Sequence, residues 1–256
     1  MHREFEPPIV LKDAIKCFWY EKRNFGKQGF EVVPDGYTEI IFYFGDRLSI
    51  SDKDGLKPLP SPFMIGLLNN PVAFYSENTV EIIAIRCYPW AVFNLLGLPS
   101  NKSGVSVFEH PVASLQPDLQ ECINSEKIDE AVNLLQHYLG IMPPHSVPNG
   151  MLNKAGAAMR KANGTLPVNE VAGAAHATIR TLERKFKESS GHTVKDISGL
   201  IRFEQVRNQL LLYPDANLAG LAEELGYADQ SHLSREFKRY CGTTPAAFAR
   251  KAKKGE

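Results

Sequence analysis

The chain has 256 residues, of which 43% are hydrophobic, so it is long enough and apolar enough for two modest globular domains. Its formal net charge is zero, but residues 151–256 contain 17 Lys and Arg against 11 Asp and Glu, which leaves 12 against 18 in residues 1–150. This division argues against a polyanionic partner for the N-terminal half and favours one for the C-terminal half.

The cysteines and the N-terminus indicate a location inside the cell. The four cysteines are far apart and lack the spacing of a metal site, which is typical of buried thiols in a reducing compartment (Cys17, Cys87, Cys122 and Cys241). The N-terminus has no apolar core like that of a signal peptide, and no apolar run approaches the roughly 20 residues that span a bilayer. We therefore expect a soluble, cytoplasmic protein without a membrane partner.

Residues 17–88 predict β structure. Short runs rich in aromatic and β-branched residues recur at Cys17–Tyr20, Phe30–Val33, Tyr37–Phe44, Phe63–Leu68, Val72–Tyr75 and Val80–Tyr88. Turn signals separate them at Pro34-Asp35-Gly36, Lys53-Asp54-Gly55 and Asn69-Asn70-Pro71. Short strands at this spacing favour a sandwich or a barrel over a parallel α/β sheet.

Helical patterns follow the strands. A short helix is predicted from Pro89 to Leu96, stopped by Gly97 and Pro99. Residues 114–140 then change period, with apolar residues at helical spacing: Ile128, Ala131, Val132, Leu135 and Leu139. We interpret this helix as packing against its own β domain, with a dimer contact as the alternative.

Residues 141–150 contain three prolines and a glycine, which indicates an interdomain linker. Everything after it predicts helix. The predicted helices are Met151–Lys161, Val168–Ala175, Thr178–Ser190, Val194–Tyr213, Leu218–Leu225, Gln230–Cys241 and Pro245–Arg250. The predicted domains are therefore 1–140 and 151–256.

The C-terminal half repeats itself. Leu182-Glu183-Arg184-Lys185-Phe186-Lys187, closed by Gly191 and Thr193, returns 51 residues later as Leu233-Ser234-Arg235-Glu236-Phe237-Lys238, closed by Gly242 and Thr244. A basic helix whose Leu and Phe share one face, preceded by a short Ala-containing helix, is typical of a helix-turn-helix unit. Two such units in register predict a domain with two recognition helices, which reads DNA.

The outward side chains of the two recognition helices are the candidate DNA contacts. Leu and Phe at i and i+4 anchor each helix, and the candidate base-contact residues point away from that anchor. We predict base contacts from Arg180, Thr181, Arg184, Ser231, His232 and Arg235, because an Arg fork can meet the O6 and N7 atoms of guanine together. Phosphate contacts are predicted from Lys185, Lys187, Gln230, Lys238 and Arg239.

These residues resemble the tandem helix-turn-helix domain of AraC/XylS-family transcription regulators over residues 165–250. The second unit, Leu225-Gly226-Tyr227-Ala228-Asp229-Gln230-Ser231-His232-Leu233-Ser234-Arg235-Glu236-Phe237-Lys238-Arg239, is a very close match. The first unit departs from the pattern: His176 occupies a turn where glycine is common, and Glu183 follows the anchoring leucine, where its carboxylate would repel phosphate. The resemblance implies two recognition helices in successive major-groove segments, about 34 Å apart on one face of the duplex.

The N-terminal half more loosely resembles the cupin-like domains attached to such regulators, at Val33–Ile40 and Arg86–Pro89. This resemblance implies a β-barrel with an effector pocket. No histidine lies within residues 17–88, and no phosphate-binding, dinucleotide or nucleophile motif is present, so we expect no metal, cofactor or catalytic residue. Arg86 could bind an anionic effector or pair with a carboxylate, and we favour the pairing.

The prediction is therefore an α+β protein: an N-terminal cupin-like β-barrel domain with flanking helices, then an all-α domain with two helix-turn-helix units. We predict a sequence-specific transcription regulator that binds double-stranded DNA. A small-molecule effector, a second copy of the chain and RNA polymerase are further candidate partners. The alternatives are a β-barrel small-molecule-binding protein or enzyme with an accessory helical domain, and a barrel that serves only for dimerisation.

Overall fold

The computed structural model describes residues 1–25, 29–52, 55–98, 104–143, 145 and 150–254. The chain divides into two compact units. The N-terminal unit comprises Met1–Val32, Tyr37–Leu67 and Val72–Pro148, and the C-terminal unit comprises Val33–Gly36, Leu68–Pro71 and Asn149–Glu256. Lys53 and Asp54 of the predicted turn, the helix-stopping Pro99, and Pro144 and 146–149 of the predicted linker lie outside the described residues.

Antiparallel strands build the N-terminal unit. In chain order they are β1 (His2–Phe5), β2 (Ile15–Asn24), β3 (Phe30–Val32), β4 (Thr38–Gly45), β5 (Ser49–Asp52), β6 (Gly55–Pro58), β7 (Phe63–Ile65), β8 (Val72–Tyr75), β9 (Thr79–Cys87) and β10 (Val105–Ser106). They form a six-stranded sheet in the order β1-β2-β9-β4-β7-β10 and a four-stranded sheet in the order β3-β8-β5-β6.

One face of the six-stranded sheet carries the main core of this unit. Ile85 of β9 pairs with Phe18 of β2 on one side and with Ile40 of β4 on the other, and all three side chains are fully buried. Three helices cover this face: α1 (Val92–Leu96), α2 (Gln116–Asn124) and α3 (Ile128–Ile141). Because side chains alternate between the faces of a strand, this register places a continuous apolar surface under the helices.

The apolar stripe of α3 belongs to that same core. The residues predicted at helical spacing are all buried within the N-terminal unit: Ile128, Ala131, Val132, Leu135 and Leu139. The interpretation that this helix packs against its own domain is confirmed. That stripe is therefore not available for contact with a second copy of the chain.

The opposite face of the six-stranded sheet meets the second sheet. The rings of Phe63 in β7 and Phe74 in β8 lie 5.8 Å apart, and both side chains are buried. Ile41 and Ala84, which pair across β4 and β9, are also buried. The two sheets thus enclose a second apolar layer, as expected for a barrel-type domain.

Helices build the C-terminal unit: α4 (Gly150–Lys161), α5 (Val168–Ala174), α6 (Ile179–Ser190), α7 (Val194–Leu212), α8 (Leu218–Glu224), α9 (Gln230–Cys241) and α10 (Pro245–Lys254). Their ends follow local sequence signals. Thr178 caps α6 by accepting from the backbone N–H of Thr181, and Asp229 caps α9 by accepting from that of His232. Gly191 and Gly242 end these two helices in the left-handed conformation, with φ of 73° each.

The long helix α7 supplies the centre of the C-terminal core. The ring of Phe203 in α7 lies 5.1 Å from that of Phe237 and 5.2 Å from that of Tyr240, both in α9. Phe186 of α6 is fully buried as well. Burial of these large side chains stabilises the two recognition helices in the domain. Helices of this length would be only marginally stable if they were isolated in water.

The predicted α+β class, with a barrel-type β domain before a helical domain, is confirmed. The strands missed by the prediction are β1, β5, β6 and β10, which have two to four residues each. Every residue of β6 is exposed, so no apolar alternation could mark it. No helix among the described residues is long and apolar enough to cross a membrane.

Candidate DNA-binding surface

Two helix-turn-helix units lie in the C-terminal unit, α5 with α6 and α8 with α9. Their turns begin alike. The backbone N–H of Ala177 donates to the carbonyl of Ala172 (3.0 Å), and that of Tyr227 donates to the carbonyl of Ala222 (2.8 Å). The donors of the two hydrogen bonds are 50 residues apart, and so are the acceptors. Each turn therefore begins with the same helix-ending hydrogen bond.

The second turn is one residue longer than the first. The first helices of the two units correspond at a spacing of 50 residues, whereas the anchors Leu182 and Leu233 of the recognition helices correspond at 51. Within the longer turn, Tyr227 is 7% exposed and packs into the domain. The repeat seen in the sequence therefore applies to the recognition helices, and the turn between the helices differs between the units.

His176 occupies the left-handed position of the first turn, with φ of 52°. Gly226 occupies the corresponding position of the second turn, with φ of 68°. A residue with a Cβ is strained in this region of backbone space, which glycine enters without penalty. The histidine at this position, where glycine is common, thus makes the first turn strained. Its exposed imidazole lies outside the recognition helix.

The anchoring residues of both recognition helices are buried as predicted. Leu182 and Phe186 of α6 are fully buried, and Leu233 and Phe237 of α9 are at most 1% exposed. The remaining faces of the two helices point outward. The candidate contact residues are exposed at Arg180, Arg184, Lys187, Gln230, Ser231, Arg235, Lys238 and Arg239, and partly exposed at Thr181, Lys185 and His232.

The two central arginines differ in their surroundings. Arg184 Nη1 lies 2.7 Å from Glu188 Oε1, one helical turn further along α6. Among the described residues, Arg235 has no acidic side chain within ion-pair distance. In α9, the position that corresponds to Glu188 is Arg239, whose guanidinium donates to the side-chain carbonyl of Asn69 at 3.2 Å.

Glu183 has a structural partner. Its Oε2 accepts from the backbone N–H of Val194, the first residue of α7, at 3.3 Å. An N-terminal N–H of a helix has no partner inside the helix, and a carboxylate there also interacts favourably with the helix dipole. The sequence indicated that Glu183 is poorly suited to contact DNA, and this contact gives it another role.

The ring of His232 is held by the longer second turn. It packs edge-on against Tyr227, with ring centroids 5.3 Å apart, and its Nδ1 accepts from the backbone N–H of Ala228 at 3.5 Å. With Nδ1 as acceptor, the neutral ring carries its proton on Nε2. That atom is then a hydrogen-bond donor at the start of the second recognition helix.

Sequence reasoning missed a charged pair that positions α9. Arg202 Nη2 of α7 lies 3.6 Å from Glu236 Oε1 of α9, with only 15% and 16% of the two side chains exposed. Arg202 Nη1 also donates to the carbonyl of Gly164 at 2.9 Å. Glu236 lies between the exposed Arg235 and the buried anchor Phe237. This position in the sequence was the available indication that its side chain turns partly inward.

In the N-terminal unit, a polar cluster lies on the sheet face opposite α1, α2 and α3. Glu39 Oε1 accepts from Trp19 Nε1 at 3.0 Å and lies 3.6 Å from Arg86 Nε. The guanidinium of Arg86 also lies 4.5 Å from the centre of the Tyr37 ring. The favoured prediction, that Arg86 pairs with a carboxylate, is confirmed, and no group of three metal-binding side chains occurs within the described ranges.

Comparison with known proteins supports this description of the helical unit. Residues 171–251 match a family described as "Helix-turn-helix domain", and residues 3–105 match a "Domain of unknown function (DUF6597)". These matches and the geometry above define the C-terminal unit as a tandem helix-turn-helix domain. The helix-turn-helix match lies within the residues whose sequence resembles the AraC/XylS regulators.

The similar proteins are themselves described as regulators. The transcriptional activator RhaS of Mannheimia succiniciproducens is 27% identical over 164 residues, 59% of this chain and 60% of that protein. The transcriptional regulator RipA of Corynebacterium diphtheriae is 32% identical over 82 residues, 32% of this chain and 24% of that protein. The chain thus spans less than two thirds of the length of either relative.

A crystal structure of ToxT from Vibrio cholerae O395 aligns with 91% of this chain and 97% of its own, with 12% identity and a TM-score of 0.48.

Proposed function

We propose that this protein is a sequence-specific DNA-binding transcription regulator whose helices α6 and α9 enter the major groove. The observation that carries the proposal is the pairing of buried apolar anchors with exposed arginines on both helices. Leu182 and Leu233 hold the helices on the domain, and Arg184 and Arg235 project from it two residues later. A basic helix held in this way can present its outer face to a duplex.

The roles of the side chains follow from their chemistry. Arg180, Thr181 and Arg184 on α6, with Ser231, His232 and Arg235 on α9, are the proposed base contacts. The phosphate contacts are Lys185, Lys187, Gln230, Lys238 and Arg239, which fix orientation without reading sequence. The charge excess of residues 151–256 supports a polyanionic partner for this half alone.

The proposal for the N-terminal unit is regulation. In it, residues 1–140 form a sensory or dimerisation domain, 141–150 a linker, and 151–256 the DNA-binding domain. A small-molecule effector would act through the barrel, and RNA polymerase would be the transcriptional partner in the cytoplasm. Support for an effector role comes from the resemblance of Val33–Ile40 and Arg86–Pro89 to the cupin-like domains attached to such regulators.

Selection of bound duplexes from a random pool, using the full chain, tests the proposal. We expect enrichment of one sequence, with an affinity that falls steeply as salt rises, because phosphate contacts release counterions. Arg235→Ala should weaken binding to that sequence about ten- to hundredfold and relax one base position. Arg250→Ala, which removes an exposed arginine from α10, is the matched control and should change affinity far less.

Absence of salt-dependent duplex binding by the full chain would overturn the proposal. It would favour the alternative, a small-molecule-binding barrel with an accessory helical domain. Repeating the selection with candidate metabolites tests the effector role separately, because an effector must shift the affinity for the selected duplex.

A further inference from the structure

Glu188 makes two ion pairs on the outer face of the first recognition helix. Its Oε1 lies 2.7 Å from Arg184 Nη1, and its Oε2 lies 2.9 Å from Lys185 Nζ. Both carboxylate oxygens are therefore engaged by cations that the proposed function assigns to DNA. Hydrogen bonds from Lys185 and Arg184 lower the pKa of the Glu188 carboxyl, so it stays ionised at neutral pH.

The second recognition helix is built differently at the same positions. Arg184, Lys185 and Glu188 correspond to Arg235, Glu236 and Arg239. The one acid of α9 turns inward to Arg202 with 16% of its side chain exposed, whereas 48% of the Glu188 side chain is exposed. The outer face of α9 therefore keeps its cations without an exposed carboxylate among them.

The direction of the Glu188 pair also matters. The N-terminal residues of a recognition helix contact the base edges. Glu188 is four residues beyond Arg184 towards the C-terminus of α6, so the pair joins the guanidinium to a residue outside that N-terminal part. For Arg184 to reach a base, the pair must break or the carboxylate must approach the phosphates.

We propose that Glu188 is an intramolecular competitor of DNA that weakens the first recognition helix, so that α9 supplies most of the affinity and specificity. This inference rests on the proposed function. Glu188 acts through Arg184 and Lys185 and is not itself a contact residue. An exposed ion pair of this kind is weak, so the expected effect is modest and measurable.

The test measures affinity of the full chain for the duplex selected by the wild-type protein. Glu188→Gln, which keeps the shape and removes the charge, should bind about two- to fivefold more tightly, with the salt slope steeper by roughly one. Asp215→Asn is the matched control, because Asp215 is also an exposed acid, paired with Lys253 at 2.8 Å outside the recognition helices. It should change the affinity little.

A double-mutant cycle assigns the effect to the pair. In the Arg184→Ala background, Glu188→Gln should keep only the part of its gain that comes from releasing Lys185, because the guanidinium that it would release is gone. Unchanged or weaker binding by Glu188→Gln, while the wild type still binds its duplex, overturns the inference and leaves the proposed function intact. Failure of the wild type to bind any duplex overturns both. Loss of folding cannot imitate the expected result, since it would lower the affinity.

Discussion

Arg202 of α7 and Glu236 of α9 form a charged pair inside the C-terminal unit, with Nη2 and Oε1 3.6 Å apart. The guanidinium of Arg202 also lies 5.2 Å from the centre of the Tyr227 ring in the second turn. Arg202 thus contacts both the second turn and the second recognition helix. The contact links α7 to α9 and to the second turn, although neither side chain belongs to the proposed DNA contacts.

Removal of Arg202 should therefore destabilise the domain. Arg202→Ala leaves the Glu236 carboxylate largely buried without its cation, and we expect a loss of about 3 kcal/mol in the free energy of unfolding. Urea unfolding followed by circular dichroism measures it. Lys195→Ala, at an exposed position of the same helix, is the control and should change stability by less than about 0.5 kcal/mol. Equal losses in the two variants would contradict this role.

Glu183 gives a second prediction, because its carboxylate accepts from the backbone N–H of Val194 at 3.3 Å. Glu183→Ala should lower the free energy of unfolding by about 1 kcal/mol through loss of a helix cap. Glu183→Gln keeps an acceptor oxygen at the same place and should retain most of that stability. If Glu183 instead reads a base, Glu183→Gln would change the selected DNA sequence, and we expect that sequence to stay the same.

The helices of the C-terminal unit were predictable because their signals are local. Thr178 and Asp229 precede their helices directly, and Gly191 and Gly242 follow them directly. The Leu and Phe anchors repeat at i and i+4, so their burial follows from helical geometry alone. Each of these signals involves only residues within about one or two turns of one another.

The features that the sequence did not reveal depend on distant residues. Arg202 and Glu236 are 34 positions apart, and only the packing of α7 against α9 brings them together. The acceptor role of Glu183 requires the return of the chain at Val194. The longer second turn was not predicted because the 51-residue repeat of the recognition helices was the conspicuous spacing. The buried Tyr227 lies in the turn, which is where the two units differ.

The N-terminal cap of α7 predicts a pH dependence of stability. Burial disfavours the ionised Asp196 carboxyl, but hydrogen bonds from the side chain and backbone N–H of Thr193 outweigh it and lower the pKa of Asp196. A folded-state pKa below the unfolded value near 4 contributes stability that is present above that value and is lost as pH falls through the folded pKa.

Asp196→Asn should therefore lose stability at neutral pH and converge with the wild type in acid. Urea unfolding between pH 7 and about pH 3 measures this difference. Asp215→Asn removes an exposed acid that is not part of a helix cap. Its free energy of unfolding should differ from that of the wild type by a constant amount over the same range. A constant gap between wild type and Asp196→Asn at all pH values would contradict the linkage.

The left-handed positions of the two turns predict opposite effects of exchanging their residues. His176 has φ of 52°, where an L-residue costs about 1–2 kcal/mol relative to glycine, partly offset by the flexibility that glycine adds to the unfolded chain. We expect His176→Gly to raise the free energy of unfolding by about 0.5 kcal/mol. Gly226→Ala, at φ of 68°, should lower it by about 1 kcal/mol.

Steric clash does not account for the predicted loss at Gly226, because an added Cβ would make only ordinary contact with Thr165 at 3.6 Å. Gly173 supplies the control: it lies within α5, and an added Cβ would meet no atom within 4 Å. Gly173→Ala should therefore stabilise the protein by about 0.5–1 kcal/mol, as expected for an ordinary helical site. If Gly226→Ala and Gly173→Ala shift the urea midpoint in the same direction, the left-handed backbone of the second turn is not what limits that position to glycine.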